Sequence, residues 1–551
     1  MTAAGPAAVP LSALAVTIDG VAVAAQEGAS LFECAEAAGV RVPTSCVKQG
    51  KCRECLVEVE EGAALLTPPA PQEAHLSGRF RLSCRARITA PGVIRCHTLR
   101  RGALRIETEA IGLGAAAALE PAVTRSGRRV RLEGRAIAEA DGPLHGLAVD
   151  VGTTTVAVRL YDLETGALAA TSSFENPQRF GGTDVMARIR YDGEHKGKLL
   201  QRTLLGYLTH AIEALPCDPR TVYELVVAGN PTMRDLFFGL DVAPIGVMPY
   251  RSVTEDAFRE GRARGTSLAS TGRRLRLPVH PEARVYGLPL IASHVGADAA
   301  ACALAVGLFD SDEVTALLDI GTNTEVIVGN RGRVLAASCP AGPAFEGGGV
   351  ACGMPALEGA VERVHLRADG TVETRVIGGG EPLGLCGSGL VDLLSELRRT
   401  GRMNEQGRLE GDEDRFWVDR AHGLFLSESD INELAQAKGA NAAGLRIAVE
   451  SYGLALSDLA RLDLAGGFAR YLDPTAAKRI GLIPALPDAT LRQVGNAALE
   501  GAAIALLSLP RRRALEDAVR RVEHVRLETH PRFFDIFVDG CQFAPFGREA
   551  A

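Results

Sequence analysis

Hydrophobic and polar positions alternate near the start of the chain in a pattern that predicts a small α+β module. Residues Leu14–Ile18 and Val21–Ala24 each fit a short strand, and the Asp-Gly pair between them suits a two-residue hairpin turn because glycine accepts positive φ. Ser30 and Glu33 then form a capping-box pattern, in which the serine oxygen accepts a backbone N–H at the start of a helix. The sequence therefore predicts a hairpin followed by a short helix that ends near Ala38.

The pattern changes twice further along the chain. Between Arg100 and His145 it consists of arginine, alanine and glycine with weak periodicity, which predicts a linker with at most one short helix. From Gly146 to about Phe546, apolar runs of strand length and helix length alternate, which is typical of α/β layering. We therefore expect a small N-terminal module and a large α/β domain joined by a linker.

The large domain contains a repeat. Leu147–Thr155 and Ala316–Thr324 are each a hydrophobic strand that ends in aspartate, followed by glycine and then by hydroxyl or amide residues. Leu225–Asn230 and Leu462–Gly467 form a second pair, since both are strands that end in Ala-Gly. Such a duplication predicts two similar lobes with a cleft between them. The expected division is a flexible tail at 1–13, the module at 14–99, the linker at 100–145, and a domain at 146–546 with lobes of about 146–310 and 311–546.

The residues that follow the repeated strands suit a polyphosphate ligand. Backbone N–H groups and hydroxyls of such hairpins cradle phosphate oxygens, and Asp150 or Asp319 could hold Mg²⁺ directly or through water. Glycine after the later strand permits close approach of a flat ring or a ribose, and Glu346, before three glycines, could orient a water molecule. The alternative is that these are only tight hairpins. The candidate nucleotide-binding residues are Gly152, Thr153, Thr154, Thr155, Asn230, Gly321, Thr322, Asn323, Thr324, Gly466 and Gly467, with Asp150 and Asp319 as the candidate catalytic residues.

Cysteines are concentrated in the N-terminal module, where six of the twelve fall within the first 96 residues. Cys46, Cys52 and Cys55 are separated by five and two residues, and Cys84 follows at a distance. A [2Fe–2S] ferredoxin uses a loop of three cysteines and a distant fourth, whereas a structural zinc site usually uses two C-x₂₋₄-C knuckles. The spacing favours a [2Fe–2S] cluster on these four cysteines, with zinc as the alternative, and predicts that Cys34 is a buried core residue.

The amino-acid composition excludes several classes of protein. The 551 residues are 46% hydrophobic and 23% charged, which excludes collagen, a coiled coil and wholesale disorder. The formal charge of −7 is spread along the chain and predicts no nucleic-acid partner. No apolar stretch approaches 18 residues, and the first 15 residues lack lysine and arginine. We therefore expect a cytoplasmic protein with no membrane partner.

Motifs in both halves of the chain carry a family resemblance. They are the four cysteines together with Asp150–Thr155, Asn176–Gln178, Ala228–Met233, Asp319–Glu325, Glu346–Gly349, Leu385–Gly389 and Leu464–Phe468. The second half resembles the acetate and sugar kinase, Hsp70 and actin superfamily, and the whole chain resembles the reductive activators of corrinoid proteins. The resemblance implies a β-grasp ferredoxin-like domain followed by a duplicated α/β, actin-like (ribonuclease H-like) ATPase domain.

The resemblance also implies a function. A family member reduces Co(II) to Co(I) in a partner corrinoid protein by one electron, with a [2Fe–2S] cluster, ATP and Mg²⁺ as cofactors, and so serves a corrinoid-dependent methyltransferase. An electron-donating reductase is the expected second partner, and a homodimer is compatible with the family. Family members also carry a middle domain before the ATPase domain, for which Arg100–His145 is too short. The alternatives are a small-molecule kinase with a redox-sensing ferredoxin domain and an ATP-gated, chaperone-like binding protein with a structural cluster.

Overall fold

The computed structural model describes residues 15–44, 46, 48–51, 54–76, 78–99, 118–292, 294–467 and 469–547. These residues divide into two compact units, one from within Met1–Ala103 and Phe174–Ala214, the other from within Leu104–Ser173 and Leu215–Ala551. Among the described helices, none combines the length and the apolar character needed to cross a bilayer.

The N-terminal part of the first unit is a β-grasp-like sheet with one helix against it. Its strands run in the order β2-β1-β5-β3-β4, with β1 parallel to β5 and the other pairs antiparallel. The elements are β1 (Ala15–Ile18), β2 (Val21–Ala24), α1 (Leu31–Ala37), β3 (Leu56–Glu61), β4 (Phe80–Leu82) and β5 (Val93–Thr98). The predicted hairpin and capping box are confirmed, since Ser30 Oγ accepts from the N–H of Glu33 at 3.2 Å. Cys34 is buried, as predicted.

The second part of the first unit comes from the middle of the chain. It holds α2 (Val185–Glu194) and α3 (Leu199–Glu213), preceded by a 3₁₀ turn at Pro177–Gly181. We call residues 174–214 the helical insert, because they lie in sequence between two strands of the second unit.

The second unit opens with strands inside the predicted linker. The strands β6 (Val123–Ser126), β7 (Arg129–Leu132) and β8 (Arg135–Glu139) form an antiparallel sheet. The described part of the linker range, 118–145, thus contains a sheet rather than the short helix that its composition suggested. The reason is that Val123 and Val130 are buried in the core of the neighbouring lobe, although arginines surround them in the sequence.

The first lobe is built on a sheet of order β11-β10-β9-β12-β14-β13, in which β9 and β10 are antiparallel and β9, β12 and β14 are parallel. Its strands are β9 (His145–Val151), β10 (Thr155–Asp162), β11 (Leu168–Glu175), β12 (Val222–Gly229), β13 (Leu268–Thr271) and β14 (Arg284–Gly287). Its helices are α4 (Pro231–Phe238), α5 (Val253–Arg259), α6 (Gly272–Leu275) and α7 (Ala297–Ala305).

The second lobe repeats this arrangement with a sheet of order β24-β23-β15-β16-β17-β25. The elements of that sheet are β15 (Thr315–Ile320), β16 (Thr324–Gly329), β17 (Val334–Cys339), β23 (Arg461–Ala465), β24 (Leu491–Gly495) and β25 (Glu523–His524). Smaller sheets hold β18 (Ala360–Leu366), β19 (Val372–Val376), β20 (Gly384–Leu385), β21 (Arg415–Asp419) and β22 (Leu424–Ser427). The helices are α8 (Gly387–Arg399), α9 (Glu428–Tyr452), α10 (Pro474–Arg479), α11 (Ala497–Leu507), α12 (Leu509–Val519) and α13 (Phe533–Cys541).

The predicted duplication is confirmed by the strand order. The antiparallel run β9-β10-β11 corresponds to β15-β16-β17, and β12 lies parallel to β9 as β23 lies parallel to β15. Helices α7 and α11 pack closely in the shared core. At Gly501 of α11, an added Cβ would lie 1.9 Å from the carbonyl oxygen of Ala301 of α7, so only glycine permits this crossing.

Candidate functional site

The cysteine site is partly assembled by strand pairing. Cys55 directly precedes β3 and Cys84 follows β4, and the antiparallel pairing of these strands brings the two residues together. The thiol of Cys55 donates to Sγ of Cys84 at 3.3 Å, and both cysteines are buried and free of disulfides. Cys46 is half-buried, and Cys52 lies outside the described residues. Among the described residues no group of three metal-ligating side chains is found, and Cys55 with Cys84 is the pair of predicted ligands whose contact is described.

The electrostatics at Cys84 favour the thiolate form that iron requires. The hydrogen bond from Cys55, the Gly50 backbone and the Arg85 charge together lower the pKa of Cys84 to about 7, against the opposing effect of burial. By contrast, burial raises the pKa of Cys96 to about 12 and also raises that of Cys34. This donor set therefore fits an iron–sulfur cluster, and the contrast within one module separates the candidate ligands from the core cysteines.

A cavity lies in the second unit where the repeated hairpins of the two lobes meet. It is lined by Asp150, Gly152, Thr153, Thr154, Thr155, Asn230, Asp298, Asp319, Ile320, Gly321, Thr322, Asn323, Glu325, Glu346, Gly466, Gly467, Asn496 and Ala498. The structure thus brings together both predicted aspartates and the predicted nucleotide-binding residues with one exception. Thr324, the first residue of β16, is fully buried and does not line the cavity.

Glu346 links the two hairpins. Its carboxylate oxygen Oε2 accepts a hydrogen bond from Thr154 Oγ1 of the first hairpin at 3.0 Å and another from Thr322 Oγ1 of the second. One carboxylate therefore bridges the cleft between the two repeated hairpins.

Two asparagines position the strand ends in equivalent ways. Asn230 caps α4 with its carbonyl oxygen and donates from Nδ2 to Thr153 Oγ1 at 3.0 Å. Asn496 caps α11 in the same manner and donates to Asp150 Oδ2 at 2.9 Å. Sequence reasoning missed Asn496, although the Gly-Asn pair after β24 repeats the Gly-Asn pair after β12.

The cleft concentrates carboxylates in a buried environment. Burial raises the pKa of Asp150 to about 6, with a further rise from Asp319, although the hydrogen bond from Asn496 opposes both. Burial also raises the pKa of Asp319 itself. Burial, and then the charges of Asp319 and Asp150, raise the pKa of Asp298 to about 8. The pKa of Glu325 is also raised, by burial and by the charges of Asp298 and Asp319. A divalent cation would offset this repulsion, and Mg²⁺ usually takes one or two protein carboxylates beside phosphate and water, so Asp150 and Asp319 fit it.

Sequence reasoning did not identify Asp298 and Glu325. Asp298 lies in the first turn of α7, far from either hairpin in sequence, and Cys302 one turn further on donates to Asp319 Oδ2 at 3.3 Å. The signal that could have found Glu325 is its place directly after the second hairpin, in the motif that contains Asp319.

A pH-dependent effect on stability follows from Asp298. Its folded-state pKa lies above the ordinary value of 3.8. The stability that this group contributes is therefore fully present below pH 4 and is lost as the pH rises through 8. We expect Asp298→Asn, which cannot ionise, to unfold at a higher temperature than the wild type at pH 8, with a smaller difference at pH 5. Thermal unfolding without nucleotide or Mg²⁺ measures this. Parallel pH curves for the two proteins would contradict it, and exposed Asp312→Asn is the matched control.

Close backbone approach explains the glycine after β23. Gly466 has a φ of +105°, and an added Cβ would lie 2.2 Å from the carbonyl oxygen of Ile320 at the end of β15. Beyond this loop lies a larger cavity of about 760 Å³, whose lining includes Arg470, Arg479 and Gln493.

Comparisons with known proteins cover both units. A family model described as the C-terminal domain of RACo, the ASKHA domain, matches residues 313–549, and one described as the RACo middle region matches 145–311. A 2Fe-2S iron-sulfur cluster binding domain model matches residues 12–70. The expectation that a middle domain is missing is therefore wrong, because the range interpreted as the first lobe is that region.

Individual relatives match most of the chain. The corrinoid activation enzyme RamQ of Eubacterium limosum is 32% identical over 435 residues, which are 74% of this chain and 71% of that protein. The [Co(II) methylated amine-specific corrinoid protein] reductase of Methanosarcina barkeri is 24% identical over 72% of this chain and 76% of its own length. A solved reductive activator for corrinoid, iron-sulfur protein has a TM-score of 0.70 at 27% identity, over 97% of this chain and 98% of its own.

Proposed function

Because this chain belongs to the RACo family of reductive activators of corrinoid proteins, we propose that it uses ATP to drive the one-electron reduction of Co(II) to Co(I) in a partner corrinoid protein that serves a methyltransferase. The observation that carries this proposal is the presence in one chain of a ferredoxin-type thiol pair and a cleft between matched hairpins. Cobalt reduction, measured with candidate corrinoid proteins with and without Mg-ATP, tests it.

ATP is needed if the reduction potential of the electron donor is too high for the donor to reduce the cobalt unaided. Each 100 mV of deficit for one electron costs about 2.3 kcal/mol and lowers the equilibrium about 50-fold. Binding or hydrolysis of ATP can offset such a deficit if it favours a state of the complex in which cobalt is easier to reduce. Closure of the two lobes about the nucleotide is the conformational change that we propose for this purpose.

The residues of the cleft have separate roles in this proposal. Backbone N–H groups and hydroxyls of Gly152–Thr155 and Gly321–Asn323 hold the phosphates, while Gly466 and Gly467 admit the nucleoside. Asp150 and Asp319 would hold Mg²⁺, which neutralises phosphate charge.

The remaining predicted nucleotide residues act at the edge of the cleft. Asn230 orients the first hairpin through its hydrogen bond to Thr153. Thr324 is buried next to the second hairpin and stabilises it by packing. Glu346 joins the hairpins through Thr154 and Thr322, and we propose that it orients the attacking water molecule once the lobes have closed.

The N-terminal module supplies the redox site. A [2Fe–2S] cluster, when bound by Cys46, Cys52, Cys55 and Cys84, supplies a one-electron carrier. We propose that an electron-donating reductase reduces it, that the protein works in the cytoplasm, and that it forms a homodimer. We also propose the domain boundaries 14–99, 100–145 and 146–546, with strands β6 to β8 within the range 100–145.

Phosphate release is expected to depend on the partner. If the corrinoid protein favours the closed lobes, adding it in the Co(II) form should raise steady-state phosphate release several-fold. A phosphate-release assay with and without the partner, run beside the cobalt spectrum, measures this. Release that is indifferent to the partner, together with Co(I) formation at the same rate without ATP, would favour the kinase with a redox-sensing ferredoxin. Phosphate release with no reducible cluster would favour the chaperone-like alternative.

A further inference from the structure

The helical insert packs with the ferredoxin-like module in the first compact unit, although its sequence lies between β11 and β12 of the second. Its first residues form the motif Asn176-Pro-Gln178, which the nucleotide and cluster sites leave unexplained. Asn176 Oδ1 accepts from the backbone N–H of Gln178 at 3.0 Å, and Gln178 Nε2 donates to the carbonyl of Leu200 at 3.2 Å. Both side chains are fully buried, so the motif fixes the turn that carries the next two residues.

Those residues contact the module through charge and through aromatic rings. Arg179 lies 3.7 Å from Glu58 of β3. Phe180 meets the ring of His75 edge-on, with centroids 5.9 Å apart, and Tyr191 donates from its hydroxyl to the carbonyl of His75 at 2.7 Å. Phe180 and Tyr191 are almost completely buried. Both rings also contact residues of the insert, so the part of their surface that His75 covers is what would be exposed if the module moved away.

Helix α3 approaches the module beside the cluster loop. His210 Nε2 lies 3.6 Å from the carboxylate of Glu54, the residue before Cys55. One turn earlier, Gly206 leaves room for that side chain, since an added Cβ would lie 3.2 Å from Glu54 Cγ. Lys48 and Lys51, which precede Glu54 in the same loop, are exposed. The insert therefore contacts the module at Glu54, directly beside Cys55, whereas the described lysines of the loop are exposed.

We propose that the helical insert is a docking platform for the ferredoxin-like module of the same chain, and that the module stays docked during cobalt reduction. The second part rests on the proposed function. The platform begins at the end of β11 and is followed, after residues 215–221, by β12, and the residue after β12 is Asn230 in the nucleotide cleft. The module is thereby joined to the nucleotide-binding lobe by its platform as well as by the linker.

Hydrogen exchange in the intact, cluster-loaded protein tests the docking. In Gly206→Leu the larger side chain meets Glu54, and we expect amides in residues 54–60, 71–76 and 177–191 to exchange roughly tenfold faster. Gly193→Leu is the matched control, because Gly193 lies in α2 of the same insert with nothing within 4 Å of an added Cβ. Equal protection in Gly206→Leu and the wild type would overturn the platform, whatever the cobalt assay shows.

A conservative variant guards against a simple folding defect. Tyr191→Phe keeps the ring and removes the hydroxyl that donates to His75, and this loss should speed exchange of the same amides roughly two- to tenfold. The rate of cobalt reduction then tests whether the module stays docked during cobalt reduction. Slower reduction in Gly206→Leu, with the cluster absorbance retained, is the expected result, and reduction at the wild-type rate by a demonstrably undocked module would overturn it. Failure of the wild type itself to reduce cobalt would count against the proposed function and leave the exchange result intact.

Discussion

Cys84→Ala is expected to remove the visible absorbance of the purified protein almost completely. Cys84 is held 3.3 Å from Cys55 by strand pairing, and its lowered pKa provides the thiolate that iron needs. Without it, the cluster would have three of its four expected thiolate ligands. The absorbance and the iron and sulfide content of anaerobically purified protein measure the loss.

The control for this variant is Cys34→Ala in the same module. Cys34 is buried and its pKa is raised by that burial, so its removal should cost some stability but should leave the absorbance nearly intact. An intact cluster in Cys84→Ala would contradict the assignment, and so would one zinc ion per wild-type chain.

Asp319→Asn and Asp150→Asn are each expected to reduce ATP hydrolysis about a hundredfold or more, which is the usual effect of removing one electrostatic group from a preorganised site. The two residues occupy matched positions in the repeated hairpins and line one cavity. Each substitution keeps the shape of the side chain and removes only its charge. Steady-state phosphate release with saturating Mg-ATP measures the effect.

The stability of these variants separates a catalytic defect from unfolding. Burial already raises the pKa of both carboxyl groups, so neutral asparagine should leave the thermal unfolding temperature unchanged or higher without nucleotide. Asp312→Asn, on the exposed surface of the same lobe, should hydrolyse ATP at the wild-type rate. Full activity in Asp319→Asn would contradict the interpretation that both hairpins clamp one metal–nucleotide complex.

The elements that could be predicted from the sequence are those fixed by neighbouring residues. The hairpin before Val21 needs only a residue pair that tolerates positive φ, and α1 begins where Ser30 and Glu33 cap each other. The duplicated hairpins could be found because the same short pattern occurs twice. In each case the physical cause lies within a few residues of its effect.

The features that escaped prediction depend on distant contacts. Asn496 reaches Asp150, and Glu346 reaches Thr154, only after the two lobes have folded against each other. Strand β7 is stabilised by burial of Val130 in a core whose other members lie far along the chain. The packing of the insert on the module also depends on distant contacts, because the sequence of residues 174–214 does not indicate which surface Phe180 covers.

Helices α7 and α11 cross close to the cleft, so a rotation about the crossing point would move the cleft residues that they carry. Asp298 lies three residues from the crossing point at Ala301, and Asn496 lies five residues from Gly501, which are arms of about 4.5 and 7.5 Å at 1.5 Å per residue. A rotation of about 10° around that point would move Asn496 by about 1.3 Å, by the same geometry. That displacement is enough to break its 2.9 Å hydrogen bond to Asp150. Because the two helix backbones approach each other closely at Gly501, a small change in the crossing angle would change how Asp150 is held.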